Sequence, residues 1–437
     1  MTVKISIIGA GSANFSLSLI RDLCLTPNLR GSTVSFMDID PVRLDAAYGL
    51  CRRYADEVGI DLDLRKTTDR HESLQGADFV VNTALVVGNR RLQEGYALAQ
   101  RHGYRFGGSY HIMHDEAFWI NYYQYRLFES LIQDMLELCP AAWCLLVANP
   151  VFAGTTFLHR RYPQAKVVGL CHGFSGVYHL AHVLGLVNHF VWLTHMYHHG
   201  QDVFPLLERW IEEQAPAYWA RERPSSGMGP AAVDLYRRFG AFPIGDTCTP
   251  GGGSWPWWYH TSEATEKRWQ EDPQAWWNGY FVHLDKEVAE IKRVAEDESS
   301  PVTAYFPPKH SGEVMVPLIE SIACDIPRVI IGNIPNSGDF VPGVPRDFAV
   351  EIPTLVSKRG IEGIQTHGLP EPLLAYVLRD RVAPVNIELM AYERGSRELL
   401  RELIVMDPWT RSEEQAEALL SEFLDLPWLA EMKEHYR

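Results

Sequence analysis

Positive charge is in short supply in this chain, in which 40 Lys and Arg stand against 55 Asp and Glu, a formal net charge of −15. A protein whose main partner is nucleic acid or an anionic membrane surface needs the opposite balance. We therefore expect neither nucleic acid nor membrane as a partner. A small anionic substrate is still compatible, because a binding site can be locally positive.

Long apolar runs are missing as well, and none approaches the length of a membrane span. The first residues, Met-Thr-Val-Lys, lead into a short apolar stretch without the basic and then apolar layout of a signal peptide. The seven cysteines are odd in number and scattered, so they suggest no disulfide framework. Reduced thiols and a cytoplasmic location are the expectation.

Internal repeats and low-complexity tracts are also absent, and 437 residues are too many for one small core. A hydrophobic content of 46% and a charged content of 22% are ordinary for a globular protein. We predict two domains, one over residues 1–186 and one over residues 187–437.

The first half alternates short apolar runs with helical patterns. Strands are predicted over residues 3–8, 33–37, 79–82, 143–147 and 166–169, with helices around 14–24, 41–58, 90–102 and 119–138. This alternation predicts an α/β fold, a doubly wound parallel sheet of Rossmann type. From about residue 187 the pattern predicts a mixed α+β, largely helical domain with strands near 328–333 and 347–352. The whole resembles the architecture of lactate and malate dehydrogenases.

A glycine-rich turn follows the first predicted strand, with the sequence Gly9-Ala10-Gly11-Ser12-Ala13-Asn14. Such a turn brings backbone close to a pyrophosphate, which then meets a helix N-terminus. Asn14 replaces the third glycine of the usual fingerprint. Asp38 ends the second strand, where a carboxylate accepts hydrogen bonds from ribose hydroxyls and repels a 2′-phosphate. We predict an NAD site at Gly9, Gly11, Ser12, Ala13, Asn14 and Asp38; the alternative is a simple glycine turn.

Asn149-Pro150 follows the predicted strand 143–147, at the edge of the sheet where doubly wound folds bind ligands. Two interpretations stay open for Asn149. It is either part of a simple turn, or its amide lies beside the nicotinamide and the substrate hydroxyls.

Cys171-His172-Gly173-Phe174 ends the next strand at the same edge, and Asn188-His189 follows near the predicted domain boundary. A thiolate and an imidazole suit a borderline divalent metal whose remaining positions are open to water and substrate. The alternative is a structural cysteine, and other nearby histidines could compete with His189 as the second ligand.

Two aspartates are candidates for acid/base chemistry. Asp115 precedes a long predicted helix, and Asp246 precedes a glycine-rich loop. Helix capping or a turn is the simpler role for each. Aromatic clusters at Trp255–Tyr259 and Trp276–Trp277 are typical either of a core or interface, or of sugar stacking.

Together these motifs resemble the family 4 glycoside hydrolases, and the resemblance runs over nearly the whole chain. It is carried by the segments 7–13, Phe36–Asp40, Asp78–Thr83, Ala148–Pro150, Cys171–Phe174, Asn188-His189, Phe242–Thr247 and Asn333–Asn336. The Cys-His-Gly-Phe form is most similar to the α-glucuronidases and α-galacturonidases of that family.

The resemblance implies NAD and a divalent metal, usually Mn²⁺, as cofactors, with Cys171 and His189 as the metal ligands. It implies Asp115 and Asp246 as the catalytic acid and base in either order, with Tyr259 as an alternative base. Asn149 and His172 would contact the substrate. A homodimer or homotetramer is implied as well.

The implied reaction cleaves an α-glycosidic bond, and the motif resemblance favours a galacturonide or glucuronide as the substrate. The implied steps are oxidation at C3, deprotonation at C2, elimination and water addition. The alternatives are an α-glucosidase or α-galactosidase of the same family, a 2-hydroxy-acid dehydrogenase, and a nucleotide sensor without activity. The chain departs from the family in lacking a stretch between Leu186 and Val187, and in carrying Thr249 where relatives have an arginine.

Overall fold

A nine-stranded sheet organises the chain. The computed structural model describes residues 1–171, 173, 176–185, 203–221, 227–243, 256–297 and 299–437. The strand order is β3-β2-β1-β4-β5-β6-β7-β8-β9. The strands are β1 Lys4–Ile8, β2 Thr33–Met37, β3 Asp63–Thr67, β4 Phe79–Asn82, β5 Trp143–Leu146, β6 Lys166–Gly169, β7 Arg328–Pro335, β8 Ala349–Ser357 and β9 Gly360–Gly363.

The first six strands are parallel, and their order is that of the dinucleotide-binding Rossmann fold. This arrangement confirms the predicted α/β class. The order reverses between β1 and β4, which places the ligand crevice at the carboxyl ends of these two strands. β3 was not predicted because it is a polar edge strand in which only Leu64 is buried. The buried strands on either side of the reversal are apolar, so the sequence predicts them well.

Helices connect the strands of the first half. They are α1 Ala13–Cys24, α2 Pro41–Val58, α3 Arg70–Leu74, α4 Gly88–Arg101, α5 Phe118–Leu138, α6 Val151–Arg161 and α7 Gly176–Val183. The second half is largely helical, as predicted. Its helices are α8 Val203–Glu213, α9 Ala215–Arg221, α10 Pro230–Phe239, α11 Glu263–Trp269, α12 Pro273–Glu296, α13 Val302–Tyr305, α14 Met315–Cys324, α15 Glu371–Val377, α16 Ala383–Arg394, α17 Arg397–Val405, α18 Glu413–Leu424 and α19 Ala430–His435.

Shorter helical turns complete the second half. A π-helical turn, Leu378–Val382, joins α15 to α16. A 3₁₀ turn, Trp257–Tyr259, precedes α11. Among the described residues no helix is both long and apolar enough to cross a membrane.

Strands from the second half continue the sheet of the first half. β6 pairs antiparallel with β7, and β7, β8 and β9 follow as an antiparallel extension. The predicted boundary between residues 186 and 187 lies outside the described residues. The division into two domains therefore stays a prediction.

Two clusters of buried side chains form the core. The larger one lines the sheet and extends into the C-terminal helices, where Leu403, Leu419 and Met432 are fully buried. The smaller one joins α8 and α10 to Tyr259. Trp277 belongs to the larger cluster and stacks on Phe106, so its environment is that of a core residue.

Candidate active site

The glycine-rich turn after β1 has the geometry of a dinucleotide cradle. Gly9 has a φ of +85°, and a Cβ placed on it would lie 2.6 Å from the Cα of Ala84. Only glycine fits this close approach of two backbones. The turn leads into α1, whose N-cap Ser12 makes no side-chain capping bond. Because Ser12 and Ala13 are partly exposed and Asn14 is exposed, the helix N-terminus is open to an anion.

Asp38 lies beside this turn. Its Oδ2 accepts a hydrogen bond of 2.8 Å from the backbone N–H of Gly11, and its Oδ1 accepts one of 2.9 Å from Asp40. Glycine is needed at position 11, because a Cβ there would lie 2.7 Å from that Oδ2 atom. The two hydrogen bonds fix the carboxylate at the end of β2.

Asn149 and Cys171 follow neighbouring strands. Leu146 at the end of β5 pairs with Gly169 at the end of β6. Asn149 follows Leu146 by three positions, and Cys171 follows Gly169 by two. The backbone carbonyl of Asn149 accepts a hydrogen bond of 2.7 Å from Gln124, which also accepts one from the backbone N–H of Val86. Gln124 is fully buried and ties together the loops that follow β4 and β5.

The structure brings Asn149 and Asp115 into contact. The side-chain amide of Asn149 donates a hydrogen bond of 2.9 Å to Asp115 Oδ2. On the other side of the carboxylate, His114 Nδ1 lies 2.7 Å from Asp115 Oδ1. His114 is buried and stacks on Tyr110, with ring centres 4.4 Å apart.

These contacts change both pKa values. Burial alone would raise the pKa of Asp115, but the His114 charge and the hydrogen bonds from His114 and Asn149 outweigh burial and lower it. Burial alone would lower the pKa of His114, but Asp115 and Glu116 outweigh it and raise that pKa. Both directions favour an imidazolium–carboxylate pair.

Further polar groups surround this pair. Arg381, which lies in the π-helical turn, donates a hydrogen bond of 2.8 Å to the Tyr110 hydroxyl. His111 Nδ1 lies 3.4 Å from Glu388 on α16. The chain segment that carries Asp115 is therefore held by groups from the second half of the sequence.

Tyr259, the alternative base, is placed differently. It is fully buried, and its hydroxyl donates a hydrogen bond of 2.6 Å to Asp234. Burial and this hydrogen bond raise the pKa of Tyr259 well above its usual range. A phenol with a raised pKa that already donates to a carboxylate is poorly suited to accept a proton.

Three predicted site residues, His172, His189 and Asp246, lie outside the described residues. The chain on both sides of residues 244–255 is anchored. Phe242 packs in the smaller buried cluster. On the other side Trp257 approaches Gly108, whose Cβ, if present, would lie 2.7 Å from the Trp257 Cα. Trp257 thus lies against the loop that carries Asp115.

His114 and Gln124 are the residues that sequence reasoning missed. Each is a polar side chain in a stretch of mostly apolar residues. Gln124, like Asn121, lies on the buried face of α5. That was the available signal. It did not reveal their partners, since those lie on other elements.

A Rossmann-type sheet with an open cradle and a polar cluster at its carboxyl edge defines the class as a dinucleotide-binding α/β protein. The family comparison then goes further. The Family 4 glycosyl hydrolase model matches residues 4–186, and the Family 4 glycosyl hydrolase C-terminal domain model matches residues 183–410. The chain belongs to glycosyl hydrolase family 4.

Similar proteins support this assignment. An α-glucosidase of Erwinia rhapontici is 26% identical, with 93% of this chain and 94% of the relative covered. An α-galacturonidase of Lachnoclostridium phytofermentans is 23% identical, with 97% and 95% covered. A crystal structure of a 6-phospho-α-glucosidase from gut microorganisms, in complex with NAD and Mn²⁺, has a TM-score of 0.77 at 16% identity, with 97% and 98% covered. That likeness shows a shared fold.

Proposed function

We propose that the chain hydrolyses α-glycosidic bonds of uronides, a galacturonide or a glucuronide, with NAD and a divalent metal as bound cofactors. The observation that carries the proposal is the Asn149–Asp115 hydrogen bond at the carboxyl edge of a dinucleotide-binding sheet. This contact supports a site in which a proton-donating group and an amide face a sugar beside the nicotinamide.

The cradle residues fit NAD. Gly9 and Gly11 leave room for a pyrophosphate near the α1 N-terminus, and Asp38 is fixed where ribose hydroxyls could bind. A nicotinamide bound there would supply a reversible hydride acceptor. Asp38 would also disfavour a 2′-phosphate, so NAD is preferred to NADP.

The cysteines offer a test of the metal assignment. Among the described cysteines four are buried, and only Cys171 and Cys324 are partly exposed. Burial raises the pKa of the Cys24 and Cys144 thiols to about 12, which disfavours metal-binding thiolates there. Cys171 lies at the ligand edge, so its thiol fits a divalent ion, with His189 as the proposed second ligand. A bound ion would supply a Lewis acid that polarises the sugar.

The remaining chemistry belongs to side chains. Asn149 and His172 would orient the sugar hydroxyls. Asp246 would remove the proton from C2, and the Asp115–His114 pair would give its proton to the leaving oxygen as the C1–O bond breaks.

The uronide preference rests on sequence. Cys171–Phe174 has the form that resembles the uronidase branch, and an α-galacturonidase is among the relatives that match almost end to end. An α-glucosidase matches as well, so α-glucosides and α-galactosides are the competing substrates.

A substrate panel tests the proposal. The protein is assayed with NAD, Mn²⁺ and a reducing thiol on 4-nitrophenyl α-glucoside, α-galactoside, α-glucuronide and α-galacturonide. We expect release of nitrophenol from a uronide, with no accumulation of NADH. Turnover of a neutral glycoside alone would contradict the uronide preference. Stoichiometric NADH from 2-hydroxy acids, without glycoside cleavage, would favour the dehydrogenase instead.

A further inference from the structure

A segment near the C-terminus runs along the chain that leads to Asp115. Its residues 407–415 lie between α17 and the first turn of α18, and we call them the strap. The strap makes four hydrogen bonds to residues 102–109, in reverse order along the two segments. They are Gln415 Nε2 to His102 O at 2.8 Å, Tyr104 Oη with Thr410 Oγ1 at 2.9 Å, Trp409 Nε1 to Gly107 O at 2.8 Å, and Ser109 Oγ to Asp407 Oδ2 at 2.5 Å.

Asp407 makes the strap contact that lies nearest to Asp115 in sequence. Its other oxygen, Oδ1, accepts a hydrogen bond of 2.9 Å from the backbone N–H of Trp409. Asp407 is 8% exposed and Ser109 is fully buried. The contact is therefore shielded from water, so losing this hydrogen bond would leave buried polar atoms without a partner.

The chain between Ser109 and Asp115 can transmit a displacement. Ile112 and Met113 are fully buried, and His114 is buried against Asp115. Close-packed segments of this kind transmit strain because they have little free volume to absorb it. A shift at Ser109 should therefore reach the Asp115 carboxyl.

We propose that Asp407 is a positioning residue for Asp115, which it places through Ser109 so that the His114–Asp115 pair can protonate the leaving group. The inference rests on the proposed function, because it requires Asp115 to belong to the proton-donating pair.

The chemistry of Asp407 supports this role. Burial raises its pKa to about 7, even though Ser109, Trp409 and the Arg411 charge favour the carboxylate. Among the neighbouring groups, Tyr104 also titrates, at a pKa of about 12. A buried carboxyl lowers stability at neutral pH, so stability does not account for its presence. Residues that break a folding rule in this way are expected where a functional position must be held.

Leaving-group dependence tests the proposal. Ser109→Ala and Asp407→Asn are compared with wild type, as holoenzymes with NAD and Mn²⁺, on 4-nitrophenyl and methyl α-galacturonide. Nitrophenolate leaves without much help from an acid, whereas methoxide needs protonation. We expect both variants to raise the ratio of kcat for the nitrophenyl substrate to kcat for the methyl substrate by about tenfold. This is a fraction of the ~10²–10⁴ that a general acid contributes. Asp115→Asn should raise it further.

Glu422→Gln is the matched control. It removes the charge that pairs Glu422 with Arg101 and His102, at the end of the 102–109 segment that is farthest in sequence from Ser109, and should leave the ratio within about twofold of wild type. An unchanged ratio in both strap variants, with a raised ratio in Asp115→Asn, would overturn the positioning role alone. An unchanged ratio in Asp115→Asn would overturn the donor role in the proposed function, and the inference with it.

Discussion

The Asn149 amide and the Asp115 carboxylate form one unit, joined by a hydrogen bond of 2.9 Å. Asn149 follows β5, whereas Asp115 precedes α5, so the contact links two separate loops. Gln124 holds the Asn149 backbone carbonyl in addition. Since each side chain orients the other, a change in the charge of Asp115 should also change the orientation of the Asn149 amide.

The His114–Asp115 pair predicts a pH effect. His114→Gln removes the imidazolium from the pair. Asp115 is then the only group of the pair that can carry the proton, and it loses that proton once the pH exceeds its own pKa. We expect the alkaline limb of the kcat/KM profile for a glycoside with a poor leaving group to move to lower pH. At neutral pH we expect a loss of at least about tenfold. The measurement is kcat/KM between pH 5 and 9.

His111→Gln is the control for this experiment. His111 is also buried, but it faces Glu388, and burial lowers its pKa. Its replacement should leave the alkaline limb in place. An unchanged limb in His114→Gln would show that the pair does not store the transferred proton.

The two accessible described cysteines predict contrasting metal effects. Cys171→Ser should weaken Mn²⁺ binding about a hundredfold or more. A metal-bound cysteine ionises to a thiolate at neutral pH, whereas a serine hydroxyl does not ionise to an alkoxide. Cys324→Ser, at the end of α14, should bind Mn²⁺ like wild type. Calorimetric titration with Mn²⁺ measures both, and equal affinities would refute Cys171 as a ligand.

Tyr259 should be dispensable for the chemistry. Tyr259→Phe removes a buried donor to Asp234, so we expect a loss of about 1–3 kcal/mol in the free energy of unfolding. Its kcat should stay within about threefold of wild type, whereas Asp246→Asn should lose about a hundredfold or more. Urea unfolding and steady-state kinetics separate these effects. A kcat for Tyr259→Phe as low as that of Asp246→Asn would restore the tyrosine as base.

Asp407 predicts a pH-dependent stability. Its folded-state pKa of about 7 lies above the ordinary 3.8, so the native state holds this proton more tightly than the unfolded state does. The stability from this group is complete below pH 3.8 and is lost as pH rises through about 7. Asp407→Asn does not titrate. Relative to wild type, the free energy of unfolding of this variant should therefore increase between pH 5 and 8 by roughly 3 kcal/mol.

Denaturant unfolding at a series of pH values measures this difference. Parallel pH curves for Asp407→Asn and wild type would mean that Asp407 is not a buried acid with a raised pKa.

The sequence predicted the parts of the fold that depend on local pattern. β1, β2, β4, β5 and β6 are short buried apolar runs, and the structure confirms each. β3 escaped prediction because an edge strand can be polar. The predicted strands near 328–333 and 347–352 are confirmed as β7 and β8, whereas β9 was not predicted. The antiparallel pairing of β7 with β6 was not predicted either, because pairing between distant strands leaves no periodic signal in either one.

The candidate site follows the same division. Gly9, Asp38 and Asn149 stand at strand ends, so their positions could be predicted from the sequence. The hydrogen bond between Asn149 and Asp115 could not, because it depends on how two loops pack. His114, Gln124 and Asp407 act through partners on distant elements, so the sequence offered only polar residues in buried stretches.

The fate of the hydrogen on C2 tests the central claim most directly. Hydrolysis of a 4-nitrophenyl α-uronide is run to partial completion in D₂O with NAD and Mn²⁺, and the released sugar is analysed by NMR and mass spectrometry. We predict one solvent deuterium at C2 of the product, with NAD unchanged in amount. A product that retains its original hydrogen at C2 would contradict the elimination route and the roles proposed for Asp115 and Asp246.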